Sequence, residues 1–329
     1  MPWFISRRAL LAGILALACT RAGAAPGDRM AASHRSIWVW NTAALLSPAA
    51  TARFVADAKA LGLTDAYLFL RAADYTKDEG RIAALLEALS KAGIRAWGME
   101  GWRGYFSDAE GPAGLYAAVD AMVAFNGRHP VKFAGFMSDV EPQDGQGEGE
   151  DLFVNNVPQS RLTPEQLARR DRILAEWLSI HETILGKMRA AGLQYGAAVP
   201  SWVDDYFGEP VEAVFKGVRK PLIEHLMPLV PLYVIMSYAT DPARVLSRIE
   251  GEMAYAAERL PDAPRILFGL ETHAGPGAGV SYADTPPKNR RSAVLADLAT
   301  IDSELGARWP RSYLGWSLHD YEGWAALPP

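Results

Sequence analysis

The chain has a single cysteine, Cys19, close to its start. Neither a disulfide framework nor a thiol nucleophile is therefore expected in the body of the protein. Basic residues are not in excess: 33 Lys and Arg stand against 38 Asp and Glu, for a net charge of -5, and no basic stripe occurs anywhere. That removes the electrostatic footprint of a nucleic-acid partner. No apolar run after the first residues reaches the roughly 20 residues that a membrane span needs. The six histidines, His34, His129, His181, His225, His273 and His319, include no HxH or HxxxH pair, so no metal site is expected. A glycine-rich phosphate loop and a GxSxG elbow are missing too, which leaves nucleotide enzymes and serine hydrolases without support and implies no cofactor.

What remains is a chain of 329 residues, half of them hydrophobic, with ample material for a large core. Its opening stretch, "MPWFISRRALLAGILALACTRAGAAPG", has a basic start, an apolar run from Ala9 to Ala18 and small residues at Ala22, Ala24 and Ala25. This is the layout of an export signal over residues 1–25, and Ser6, Arg7, Arg8, Leu10 and Leu11 resemble the twin-arginine type. A periplasmic or secreted location follows as the expectation. Lipid attachment at Cys19 is disfavoured because Ala16, Leu17 and Ala18 make a poor lipobox.

From about residue 36 the sequence repeats one rhythm: a short run of aromatic and branched residues, a polar tail, then a longer helical pattern. The strand candidates are "SIWVWN", "DAYLFLRA", "IRAWGMEG", "KFAGFMSDVEP", "QYGAAVPSW", "LYVIMSYA", "RILFGLET" and "SYLGWSLHDY". Ser47 and Pro48 open one intervening helix, and Thr163, Pro164 and Gln166 open another with a capping box. Gly62, Gly93 and Gly192 close helices. Eight strands alternating with helices predict a single (β/α)8 barrel over 36–329, an α/β fold, with a long acidic loop at about 142–162.

In such a barrel the carboxyl ends of the strands form the active face. The tails there carry Trp40, Arg71, Glu100, Trp102, Asp139, Glu141, Trp202, Tyr238, Glu271, Trp316 and His319. They are aromatic and acidic, which suits a polyol: flat rings stack on the apolar faces of sugars, and carboxylates bond hydroxyls or move protons. Asp139 and Glu141 are two apart, so alternation puts both on one face of their strand. Standing alone, DVEP reads as a polar turn that closes a strand; its place at the end of the fourth strand, before a loop, is what points to a site.

At these residues the chain resembles the family 18 glycoside hydrolases, the chitinases and endo-N-acetylglucosaminidases. Their fourth strand ends in DGxDxDxE, and "AGFMSDVE" keeps Gly135, Asp139 and Glu141, while Ala134 and Met137 stand where that family has its first and middle aspartates. The family's MxY on strand six is matched by Met236 and Tyr238, and its strand-eight tryptophan by Trp316. The resemblance implies an exported hydrolase of O-glycosyl bonds, with an oligo- or polysaccharide such as a cell-wall glycan as partner. Glu141 would be general acid/base, Asp139 would orient an acetamido group whose oxygen attacks the sugar carbon, and Tyr238 would support that intermediate. The remaining strand-end residues, Trp40, Arg71, Glu100, Trp102, Trp202, Met236, Trp316 and His319, would bind substrate. Two alternatives stay open: a retaining glycosidase with Glu141 as acid/base and Glu271 as nucleophile, and a non-catalytic glycan-binding barrel.

Overall fold

The computed structural model describes residues 34–102, 104–106, 110–143, 158–260 and 265–329. The expected export signal, with Cys19, and residues 144–157 of the expected mouth loop lie outside these. Eight parallel strands close a barrel in sequential order: β1 (His34–Val39), β2 (Asp65–Phe69), β3 (Arg95–Gly101), β4 (Gly135–Asp139), β5 (Gln194–Pro200), β6 (Leu232–Met236), β7 (Arg265–Glu271) and β8 (Tyr313–His319), with β8 paired to β1. Around them lie α1 (Pro48–Ala60), α2 (Glu79–Lys91), α3 (Ala113–Arg128), α4 (Pro164–Ala191), α5 (Leu222–Leu226), α6 (Pro242–Arg259), α7 (Arg291–Arg308) and α8 (Tyr321–Ala326). The fold is the (β/α)8 barrel that the rhythm predicts. Among the described residues no helix is long and apolar enough to cross a membrane.

The caps act as read from sequence. Ser47 Oγ accepts the Ala50 N–H at 3.3 Å, with Pro48 at the first helical position of α1. At the start of α4, Thr163 Oγ1 accepts from Gln166 N–H at 3.3 Å, and Gln166 Oε1 accepts from Thr163 N–H at 2.9 Å. One stretch departs from the rhythm. Between β5 and β6 the chain makes two antiparallel hairpins, Asp205–Tyr206 with Glu209–Pro210 and Glu212–Phe215 with Val218–Pro221. Both turn on a residue pair with positive φ, Phe207 (58°) and Gly208 (77°), then Lys216 (51°) and Gly217 (78°). Such pairs are the mark of tight hairpin turns, but they usually carry Asn or Asp first, so the signal here was weak.

The barrel interior is filled by Trp38, Tyr67, Trp97, Met99, Met137, Ala198, Leu232, Val234 and Leu267. Trp38, Tyr67 and Trp97 lie at one level, in register across β1, β2 and β3, and the next partner in that row is Gly135. A Cβ at Gly135 would sit 2.6 Å from Trp97 Cζ3, so three large rings fit only because the fourth position has no side chain. At the amino-terminal end of the strands, fully buried Asp65 collects donors. It accepts from Arg95 Nε at 2.8 Å and Nη2 at 2.8 Å, from the Trp97 indole at 2.7 Å and from Thr64 Oγ1 at 2.6 Å. His34 is 3.4 Å from Asp65, yet burial pushes its pKa down to about 4 despite the pull of the carboxylate. At neutral pH this contact is made by an uncharged ring.

A second buried acid is less well served. Glu252 on α6 is wholly inaccessible, and neither of its oxygens has a hydrogen-bond partner among the described residues. Burial, reinforced by Asp204, raises its pKa well above the ordinary glutamate value; Asp204 itself is raised, by burial first, to about 6. The folded state thus binds more protons than the unfolded one above the ordinary carboxylate range. Stability falls as pH rises through that window and levels off once Glu252 ionises in the fold. Glu252→Met is expected to gain on the wild type as pH rises above the ordinary carboxylate range. Chemical denaturation at several pH values measures this, and a gap that does not grow with pH contradicts it.

Candidate active site

β4 delivers the carboxylate pair. Its last paired residue is Asp139, and the chain then leaves the sheet, so the ladder does not fix Glu141. A contact from α4 does so instead: the Trp177 indole donates to the Val140 carbonyl at 2.7 Å, with both residues fully buried. Pinning Val140 inward of the helices keeps the two-residue alternation going one step past the strand. Asp139 and Glu141 consequently both line one cavity of about 800 Å³ at the carboxyl ends of the strands. Gln143 Nε2 donates to Glu141 Oε2. On the neighbouring strand, Gly101 makes room for the pair: a Cβ there would lie 2.9 Å from Asp139 Cβ and 2.9 Å from Trp40 Cη2.

Trp40, Trp102, Met236, Tyr238, Glu271 and His319 share this cavity with the pair. The loop after β7 supplies His273, Ala274, Gly275 and Pro276, which sequence reasoning missed. Its signal was the glycine-rich run "HAGPGAG" directly after "GLET". Asp284 Oδ2 clamps that loop, accepting from Gly275 N–H at 2.9 Å and Gly277 N–H at 2.8 Å. Tyr238, half-buried, has its pKa pushed well above the ordinary phenol by burial and then by Glu271, Asp139, Glu141 and Asp320. It stays a neutral O–H donor among carboxylates.

Glu271 is buried and accepts twice. Its Oε1 takes the His273 N–H at 2.6 Å, and its Oε2 meets His319 Nδ1 at 2.8 Å. The Trp40 indole donates to His319 Nε2 at 2.7 Å. Burial disfavours charge on His319, but the hydrogen bond and charge of Glu271, with Asp320 and Asp139, more than offset it and raise its pKa. The Trp40 contact opposes that trend, since protonating Nε2 would set two N–H groups against each other. With Trp40 seated, the hydrogen bond decides for the neutral ring.

Other sequence-selected residues go elsewhere. Arg71 and Glu100 line an adjoining pocket of about 370 Å³ with Phe69 and Glu110, which meets the main cavity at Gly101 and Trp102. Tyr105 donates to Glu100 Oε2, and burial raises the Glu100 pKa. The Arg71 guanidinium lies 5.8 Å from the centre of the Phe69 ring. Trp202 packs on Trp177, with ring centres 6.2 Å apart, and is not among the residues lining the cavity. Trp316 is buried in the layer between barrel and helices. It is three residues from His319, so alternation turns one outward when the other faces the cavity. Among the described residues no cluster of three or more His, Cys, Asp or Glu could hold a metal ion.

No protein-family model and no curated protein matches the sequence. Solved structures do match. A chitinase from Chromobacterium violaceum ATCC 12472 is 15% identical, over 90% of this chain and 98% of that one, with a TM-score of 0.48. A chitinase from Aspergillus fumigatus is 13% identical, over 90% and 93%, at 0.49. A monomeric beta-xylosidase from Caulobacter crescentus CB15 is 13% identical, over 88% of this chain and 60% of that one, at 0.51. At such identities the likeness is one of fold alone.

Proposed function

We propose that the protein is an exported glycoside hydrolase that acts on a polysaccharide or cell-wall glycan, with Glu141 as general acid/base and Asp139 assisting. The observation that carries this reading is the meeting of Asp139, Glu141 and the neutral phenol of Tyr238 in one ring-walled cavity at the carboxyl ends of the strands. Glu141 donates a proton to the glycosidic oxygen as the bond breaks and then takes one from the incoming water. Tyr238 donates to an oxygen of the reacting sugar without itself ionising. Trp40 and Trp102 offer ring faces to neighbouring sugar units, Trp102 with 54% of its surface exposed.

In the favoured scheme the substrate's own acetamido oxygen attacks, oriented by Asp139. A carboxylate nucleophile, Glu271, is the other scheme. Inhibition by a thiazoline that mimics the acetamido intermediate supports the first, and covalent labelling of Glu271 by a fluorosugar supports the second. Release of reducing ends by wild-type and Glu141→Gln protein across a panel of glycans tests the reading as a whole. Sugar binding with no product released would make the protein a glycan-binding barrel instead. Trp102→Ala is expected to raise KM by about 2- to 10-fold with a smaller change in kcat, as measured by steady-state kinetics. An unchanged KM removes Trp102 from the subsites.

A further inference from the structure

We infer that Glu271, His319 and Trp40 form a tautomer relay that holds the Trp40 ring as the wall of the reacting subsite, and that Glu271 is a positioning residue. An indole nitrogen can only donate. Because the Trp40 N–H points at His319 Nε2 at 2.7 Å, that nitrogen must be bare and the ring proton must sit on Nδ1. From there it is donated to Glu271 Oε2 at 2.8 Å, while Oε1 receives the His273 N–H at 2.6 Å. Each carboxylate oxygen is therefore already engaged by a protein donor, and the group is 3% exposed. These two hydrogen bonds fix the His273 backbone and the His319 tautomer, while Glu271 also lines the cavity.

The other end of the relay is equally confined. The Trp40 ring packs on Phe69, with centres 5.5 Å apart, and its Cη2 edge lies where a Cβ on Gly101 would be 2.9 Å away. His319 is itself flanked by Trp38 and Tyr238, with ring centres 5.8 Å and 5.7 Å away. The indole is thus held at two edges, and the proton position on His319 decides whether one of those contacts exists.

Glu271→Gln keeps the shape and inverts the logic. The amide oxygen still takes the His273 N–H, so the NH2 group turns to His319 Nδ1, which must then accept. The ring proton moves to Nε2 and faces the Trp40 N–H, and Trp40 is released, as when an amide replaces the orienting carboxylate of a catalytic triad.

Nitrogen-15 NMR of the histidine-labelled full chain, with His319 assigned by loss of its signal in His319→Gln, is expected to show a protonated Nδ1 and a bare Nε2. Glu271→Gln should exchange the two and shift the Trp40 indole proton toward the value of an unbonded indole. The wild-type measurement needs no variant to fold. A protonated Nε2 in the wild type, or a tautomer unchanged in Glu271→Gln, overturns the relay.

The effect on turnover rests on the glycosidase reading. On a glycan that the wild type hydrolyses, Glu271→Gln is expected to lower kcat/KM by about tenfold, chiefly through KM, and to cost about twofold or less when Trp40→Phe is already present. Loss of about 10⁴-fold or more in kcat in both backgrounds, with azide restoring Glu271→Ala, would make Glu271 the nucleophile and sink the positioning role. If no glycan is cleaved, the NMR result still decides the relay, so the two ideas fail separately.

Discussion

Glu141→Gln is expected to lower kcat/KM by about 10²- to 10⁴-fold while leaving the melting temperature close to that of the wild type. The amide has the volume of the acid and can still contact Gln143, so the local packing has little reason to change. What disappears is the transferable proton. Glu141 sits beyond the last paired residue of β4, part-exposed and at the cavity wall, so the substitution touches neither the ladder nor the core. Reducing-end release on the most active glycan of the panel, with circular dichroism and a melt on the same samples, makes the measurement. Equal rates in the two proteins would remove Glu141 from the chemistry.

Asp65→Ala acts at the opposite end of the barrel and is expected to cost about 3 kcal/mol of stability. Asp65 is inaccessible and satisfies two nitrogens of Arg95, the Trp97 indole and the Thr64 hydroxyl. The partners do not suffer alike. Arg95 has 45% of its side chain exposed and can rehydrate, whereas the Trp97 N–H lies in the sealed interior and is left without an acceptor. Most of the loss should therefore trace to Trp97. Guanidinium unfolding of Asp65→Ala in the wild-type and Trp97→Phe backgrounds separates the terms, the second being the smaller. A loss below about 1 kcal/mol, or an equal loss in both backgrounds, contradicts the account.

How much of this was legible beforehand differs from part to part. The eight strands were readable because each is a compact run of branched and aromatic residues with a turn signal after it, and each run overlaps one barrel strand, although the polar tails fall outside the ladder. Asp139 and Glu141 were readable as a pair because alternation is local. That Glu141 keeps this alternation after leaving the sheet depends on Trp177, some forty positions later in the chain, and no local pattern reports such a contact. Trp316 matches a family motif, although parity with His319 places the two on opposite faces of the strand. The relay from Glu271 to Trp40 joins the seventh, eighth and first strands, and only closure of the barrel brings them together. His273 and its clamp by Asp284 belong to a loop whose shape is set by hydrogen bonds between residues with no periodic signal.

Between the Asp65 cluster and the mouth lies a plug of Trp38, Trp97, Met99, Met137, Val234 and Leu267, with Met137 occupying a place that the related motif gives to an acid. If Glu141 acts as proposed, its hydrogen ions would meet this largely apolar plug among the described residues and would be traded with solvent at the rim.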